Sequence, residues 1–513
     1  MRKPDSSPCP VKTESTRGDF DPATQESPGN SPQSTQPTST WKLRLITCGI
    51  SFFCHAVILL LCSMIVIKSP PAWDELVNLL SVVEEPPEPI TELSPIVPEL
   101  IDEQSQTFIS TSSAQELAKI DTPPSLNVND LEPQVEIEEL DTSRLATIKI
   151  GDQTSGRSQA ARAALVKKFG GNTASEAAVA SGLKWLAAHQ WPDGSWSFDH
   201  AGCPSCNGKC SQPGTMSDCR TGATGLALLA YLGAGHTHRE GDYAPQVKRG
   251  LEALTKMAVL KPEGLDLRGI SVEQHVHGSY YAQGIATIAL CETVALTRDP
   301  RYRQLAQSAI NFIINSQDPR GGGWRYQPRQ PGDTSVVGWQ VMALKSGQNA
   351  RLKIPAAVFR GAEFFLNSVQ SQNGALYAYM DPKSPTPSTT AVGLLCRMYL
   401  GWDHQHPALK EGIAYLDRTK PATNDMYYNY YATQVMHHWG QEEWKRWNAI
   451  MRDRLVNTQH GASAGHLAGS WDVADHHGGP GGRLYMTCLA VMTLEVYYRH
   501  LPIYQRENIK VEF

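Results

Sequence analysis

QDPRGGGWRYQPRQPGDTSVVGWQVMALKSGQNA, residues 317–350, carries the pattern on which the fold turns. It opens on a turn of the form Gln-x4-Gly-x-Trp, made by Gln317, Gly322 and Trp324. The glycines Gly321, Gly322 and Gly323 end one helix. Asp333 is placed to cap the next. Val336, Val337, Trp339, Met342, Ala343 and Leu344 then follow at spacings of three and four, which marks a buried helix face.

The same unit recurs outward in both directions. Related turns stand at Gln190, Gly194, Ser195 and Trp196, and at Gln372, Gly374 and Tyr377, with a stretched version at Gln459, Gly469, Ser470 and Trp471. Helices of about 15 residues alternate between an amphipathic type and one rich in small and apolar residues. The predicted pairs are 174–189 with 219–234, 243–258 with 278–297, 299–316 with 333–348, 355–370 with 388–401, 406–419 with 426–438, and 441–458 with 483–500. The second members begin near 219, 278, 333, 388, 426 and 483, so four of the five intervals are 55–59 residues and the fifth is 38. A period of this kind means stacked supersecondary units. The expected fold is all-α, an (α/α)6 toroid of six helix hairpins over 173–502, with the apolar helices inside. Closure hides the two ends that an open array has to cap. Tyr280, Tyr281, Gln283, Asn429 and Tyr430 on inner helices point to a partly open central cavity.

These turns resemble the QW-type repeats of the prenyltransferase and squalene/hopene cyclase superfamily, and the resemblance implies the α/α toroid over roughly 174–500. It does not carry the chemistry across. Cyclases protonate their substrate with the middle Asp of Asp-x-Asp-Asp-Thr-Ala; the matching run here is Gln330-Pro331-Gly332-Asp333-Thr334-Ser335, with Gly332 at the acid position. A glycine cannot be a general acid. Prenyltransferases hold zinc through Asp-x-Cys and a later His; here Tyr427 stands for the Cys and Met486 for the His, leaving Asp425 alone. That set cannot make the zinc site. The Gly-Cys-Gly-Glu-Gln run of the thioester relatives is absent.

Inner-helix starts open on one mouth of the ring, where helix dipoles are positive and the loops longest. Asp218, Arg220, Glu273, His275, His277, Asp333, Asp425, Asp472, Asp475, His476, His477 and Arg483 converge there. His275, His277, Asp333, Asp475 and His476 are the candidate catalytic groups for acid–base work. Taken singly, each is equally a cap or a solvated loop residue. The first long loop holds His200, Cys203, Cys206, Cys210 and Cys219, with four cysteines inside 17 residues. Two disulfides or a metal knuckle, a structural zinc, both satisfy this spacing. Cys291, Cys396 and Cys488 fall on inner-helix faces as apolar packing.

Ahead of the ring the composition changes. Residues 1–41 are rich in Ser, Thr, Pro and Gln and read as a disordered tail. Leu45 to Ile67 is 23 residues without a charge, bounded by Lys42, Arg44 and Lys68. That length spans a bilayer, so 42–68 reads as a single-pass anchor with a cytoplasmic N-terminus and an exported, periplasmic bulk. Ser51 and His55 on one face of it resemble the Ser/His pair of TonB-type anchors; a helix-packing contact explains them as simply. Residues 69–172 form an acidic Pro-rich spacer, with 17 acidic residues and one Lys between Asp74 and Asp141. Arg144 to Gly170 is expected to be partly helical, and 503–513 is a tail. A net charge of −5 and a pI near 6.4 give no reason to expect nucleic acid binding. Two functions follow as expectations: a ligand-binding or envelope protein whose toroid takes a lipid, peptide or glycan, and alternatively a lyase or hydrolase using the His/Asp set.

Overall fold

A computed structural model describes residues 145–148, 155–269, 276–475, 478–504 and 509–512. The chain divides into two units, Met1–Pro71 and Ala72–Phe513, and every described residue belongs to the second. The expected tail, the 45–67 span with Ser51 and His55, and the spacer up to residue 144 lie outside the described residues. Among those described, no helix is long and apolar enough to cross a membrane.

Six hairpins follow one another. The outer helices are α2 (Thr173–Ala188), α4 (Ala244–Met257), α6 (Pro300–Asn315), α8 (Ala356–Val369), α10 (Pro407–Thr419) and α12 (Gln441–Thr458). The inner ones are α3 (Arg220–Gly233), α5 (Val276–Thr297), α7 (Thr334–Asn349), α9 (Pro387–Tyr399), α11 (Met426–Trp439) and α13 (Gly482–Leu494). Each inner helix packs on the next, and α13 packs back on α3, so the ring is closed. The fold is the (α/α)6 toroid. Upstream, α1 (Gln159–Phe169) supplies the expected helix before the ring and packs on a short α14 (Val496–Arg499). A strand β1 (Leu145–Ile148) pairs antiparallel with the last strand, Ile509–Glu512, with Leu145 opposite Glu512.

Local chemistry sets the helix starts. Asn172 and Ser175 form a capping box on α2, and Thr386 with Thr389 forms one on α9. Asp299 caps α6 ahead of Pro300. Inner helices are buried on nearly all sides: every residue of α3 from Thr221 to Gly233 is buried. Outer helices bury one stripe, as Val247, Leu251 and Leu254 do on α4.

The Gln/Gly/Trp turns join neighbouring hairpins by one repeated device. Gln317 Nε2 donates to the Gly322 carbonyl of its own turn (2.7 Å) and to the Val358 carbonyl of α8 (2.9 Å). Trp324 Nε1 donates to the Ile313 carbonyl of α6 (2.8 Å). Gly322 has φ +73°, and a Cβ there would lie 2.0 Å from the Gly361 carbonyl oxygen of α8. Only glycine permits that approach. Gln190 and Trp196 repeat the pattern between α2 and α4, through the carbonyls of Gly194, Gln246 and Leu186. Gln459 and Trp471 repeat it across the seam, where Gln459 reaches Ala178 of α2 (2.8 Å). In the degenerate turn the working glutamine is Gln370, which accepts from Arg397 (3.0 Å), while Gln372 is exposed.

The centre of the ring is filled. Trp339 of α7 stacks on Tyr430 of α11 (5.7 Å between ring centroids) and meets Tyr431 edge-on. Two of the inner polar residues read as cavity lining, Gln283 and Asn429, tie backbone together, while Tyr430 lines the cavity that remains. Gln283 accepts from the Leu267 amide (2.6 Å), and Asn429 exchanges hydrogen bonds with the amide and carbonyl of Ala422. Polar groups buried this way are satisfied by backbone partners rather than by solvent. The axis keeps a small cavity of about 50 Å³ near the C-terminal ends of the inner helices, lined by Arg157, Glu292, Lys345, Tyr430, Arg499 and His500 among others.

Candidate functional site

At the opposite end, the N-terminus of α7 holds a buried carboxyl. Asp333 is fully buried, and its Oδ1 caps α7 by accepting from the Val336 amide (2.8 Å). Its own amide donates to the Trp324 carbonyl (2.9 Å), so the Gln/Gly/Trp turn fixes its position. The Oδ2 atom has no hydrogen-bond partner, and Arg325 Nε stands 3.7 Å from it. Burial pushes this carboxyl up to about 6, against the opposing pull of the Val336 amide, the Tyr379 phenol and Arg325. Phenols surround it. Tyr326 and Tyr379 share a hydrogen bond between their hydroxyls (2.5 Å), and Thr334 ties α7 to the Tyr379 backbone (2.9 Å). Arg325 lies over the ring of Tyr326, 5.0 Å from its centroid. Tyr427 of α11 donates to the Ser335 carbonyl (3.3 Å). Burial raises the pKa of Tyr281, Tyr379 and Tyr427, with the Asp333 charge adding to it, so these hydroxyls stay protonated.

Two more mouth carboxylates meet at the start of α11. Asp425 Oδ1 caps it at the Tyr428 amide (2.8 Å), while its Oδ2 accepts from Ser388 (2.6 Å). Asp475 Oδ2 accepts from the Met426 amide (2.9 Å). Both charges act on Tyr485, as does Tyr427. A cleft of about 370 Å³ runs from these carboxylates between α11, α12 and α13. The histidines are not placed with them: His275, His476 and His477 lie outside the described residues, and of His277 only its helical backbone is described. Arg220 and Arg483 serve structure. Arg220 pairs with Asp193 (3.0 Å) and covers Trp191. Arg483 is buried and clamps the first long loop through Ser211 and Gln212, with Asp472 as its counter-charge.

That first loop is stitched to the last hairpin. The amides of Thr215 and Met216 donate to Gly479 and Pro480. At its base Cys206 and Cys210 meet two histidines that the sequence reading did not single out, His189 and His466, with one ligand-capable atom from each within 4.8 Å of the others. Cys210 Sγ is 3.3 Å from His189 Nε2 and 3.1 Å from His466 Nδ1. The remaining loop candidates are not part of this group, although His200 packs edge-on against His189 (5.7 Å between ring centroids). Cys203 Sγ faces the Gln190 carbonyl (3.6 Å) and Ser205 (3.2 Å). Cys219 begins α3, and His200 is buried edge-on against Trp185. All seven described cysteines are free thiols. A weak signal existed for the two missed residues: His189 directly precedes the Gln of the first turn, and His466 sits in an Ala/Gly/Ser stretch that gives a histidine no packing reason.

No family model and no curated protein matches the chain. Solved structures similar to it include an inactive variant of the α-1,6-mannanase GH76A of Salegentibacter sp. HEL1_6 in complex with α-1,6-mannotriose. That match has 11% identity and a TM-score of 0.43, covering 63% of this chain and 99% of that one. A further structure of the GH76A α-1,6-mannanase from Salegentibacter sp. HEL1_6 matches at 12% identity and a TM-score of 0.42, over 63% of this chain and 98% of that one. The resemblance to prenyltransferases and squalene/hopene cyclases is corrected accordingly. No model of that superfamily matches, and the similar structures are glycoside hydrolases. The Gln/Gly/Trp turns are a solution to joining helical hairpins and do not identify a lineage.

Proposed function

We propose that the mouth is the active site of a hydrolase or lyase acting on a glycan, with Asp333 as its proton-transferring acid. The observation that carries this is the Asp333 Oδ2 atom: buried, without a hydrogen-bond partner, on a carboxyl held near pH 6. A cap needs only one oxygen, and a second one kept in a dry place with only a long ion pair to Arg325 is costly. Carboxyls with such raised pKa values cluster where protons are transferred. The phenols of Tyr281, Tyr326, Tyr379 and Tyr427 suit a sugar, offering rings for its C–H faces and hydroxyls for its oxygens. In the protonated form Asp333 donates to the leaving oxygen. Asp425 or Asp475 is the proposed second carboxylate, and the mouth histidines His275, His277 and His476 are candidate bases. Non-catalytic binding of a glycan at the same tyrosines is the second reading, favoured by the two mouth carboxylates being engaged by backbone amides. We further propose that 45–67 anchors the chain and 69–172 spaces the toroid from the membrane on the exported side.

The test is a polysaccharide panel with purified protein, scored for new reducing ends and for unsaturated products. Asp333→Asn keeps the Oδ1 cap and removes the acid. The expected result is loss of turnover by roughly 100-fold or more with glycan binding retained. Turnover in wild type with an equally active Asp333→Asn variant would remove Asp333 from the reaction. Binding with no turnover in either protein moves the assignment to the second reading.

A further inference from the structure

The group at the base of the first loop belongs neither to the mouth nor to packing. We propose that His189, Cys206, Cys210 and His466 bind one tetrahedral divalent metal of the zinc class, which staples the seam of the ring. His189, Cys206 and Cys210 come from the first hairpin and His466 from the sixth, on the turn Ala462–Leu467. A metal there therefore joins the two ends of the array covalently in all but name.

The donor set fits the ion. Two thiolates and two neutral imidazoles balance a 2+ charge and complete four-coordination, the pattern of closed structural sites. Zinc bonds of about 2.3 Å to sulfur and about 2.1 Å to nitrogen place tetrahedral donors about 3.4–3.8 Å apart. The observed separations of 3.1 and 3.3 Å at Cys210 need shifts of about half an ångström, and the widest separation in the 4.8 Å group closes by about 1 Å. Supporting contacts orient the donors beforehand. His189 Nδ1 lies 2.7 Å from the Trp185 carbonyl, which fixes its proton there and turns Nε2 toward Cys210. The ring is further held by stacking on Trp185 (3.8 Å). Between the cysteines, Asn207 and Gly208 both take left-handed backbone (φ 46° and 75°). The Lys209 amide donates to the Cys206 carbonyl (3.1 Å), closing a tight turn that brings both sulfurs to one side. His189, Cys206 and Cys210 are buried and His466 is half-buried, so the centre is shut from solvent.

A Cys206–Cys210 disulfide is the competing chemistry. It would consume both sulfurs and leave two imidazoles, brought from opposite ends of the ring, aimed at a group that binds neither. Convergence of both histidines on Cys210 is the observation that favours the metal.

The experiment uses the full chain purified in detergent under reductant, with metal content measured per chain. One zinc per wild-type chain is expected, retained in Cys203→Ser and Cys219→Ser and lost in Cys210→Ser. His466→Ala should lower occupancy at least tenfold at limiting free zinc while leaving the ring folded by circular dichroism. Where the cysteine variant fails to fold, the wild-type chain stripped by chelator and reloaded with cobalt gives a second readout. Intense tetrahedral d–d bands with sulfur-to-cobalt charge transfer support a centre with two thiolates. Metal-free chain with titratable Cys206 and Cys210, a Cys206–Cys210 disulfide in non-reduced peptides, or zinc kept by a folded Cys210→Ser chain each overturns it. None of these outcomes depends on whether Asp333 is catalytic.

Discussion

Replacing Asp333 by Asn should change how the stability of the toroid depends on pH, and the size follows from its surroundings. Burial raises this carboxyl from 3.8 to about 6 in the folded chain. The folded state therefore holds its proton more tightly than the unfolded state. Between those two values the unfolded chain binds fewer protons, so stability falls as pH rises. The contribution is fully present below about pH 4 and is lost by the time pH has passed 6. Two pH units at about 1.4 kcal/mol each make the loss about 3 kcal/mol. Asn accepts from the Val336 amide as Asp does and has no charge to bury, so its curve lacks this descent. Urea unfolding of both proteins at half-unit steps from pH 4 to 8 measures it. The quantity of interest is the difference curve, because other groups titrate identically in both; Glu495, for one, is raised to about 8 by burial. The difference should move by about 3 kcal/mol in favour of Asn across the window. A constant offset comes from the new unpaired amide group and does not affect the slope. Parallel curves would mean that Asp333 titrates normally, and its role as a proton donor near neutrality would fall with them.

Two further substitutions probe the frame. Gly322→Ala puts a Cβ 2.0 Å from the Gly361 carbonyl at a φ of +73°, and should cost at least about 3 kcal/mol by thermal unfolding. Gly461→Ala, which meets nothing within 4 Å at φ −72°, should be neutral in the same scan. Arg499→Met leaves Glu292 with Arg157 alone and strips Glu495 of its cation. Breaking this buried network should cost about 3–5 kcal/mol, and a midpoint in denaturant unchanged from wild type would show that the network is not holding the pole together.

Much of this frame was readable because its signals are local. Each helix pair announces itself by spacing, and each Gln/Gly/Trp turn sits within a few residues of the carbonyls it serves, so 299–316 and 333–348 were placed to within a residue or two. Asp333 was visible for the same reason, as a cap ahead of an apolar run. The surroundings of its Oδ2 were not, because they depend on Tyr379 arriving from the next hairpin. The cysteine loop shows the limit more sharply. Cys206 and Cys210 are neighbours in sequence and were found together. Their partners stand 21 residues before and 256 residues after Cys210. Only ring closure brings His466 there, and no local pattern encodes closure. Gln283 and Asn429 misled for a related reason: polarity on an inner helix says that a partner is needed, and here the partner was a loop's backbone instead of solvent.

The joint between the sixth hairpin and the first is built from the same parts as those after the first and third hairpins, with Gln459 doing at Ala178 what Gln317 does at Val358. Such an annulus has no privileged first unit. The segments that flank the ring, Leu145–Ile148 and Ile509–Glu512, pair with each other, so the chain enters and leaves the ring at one place. It follows that the number of units is locked in a way that an open array is not. Adding or deleting one hairpin would alter the bend demanded at every remaining joint, so this fold should tolerate changes of length in its loops and not in its sixfold count.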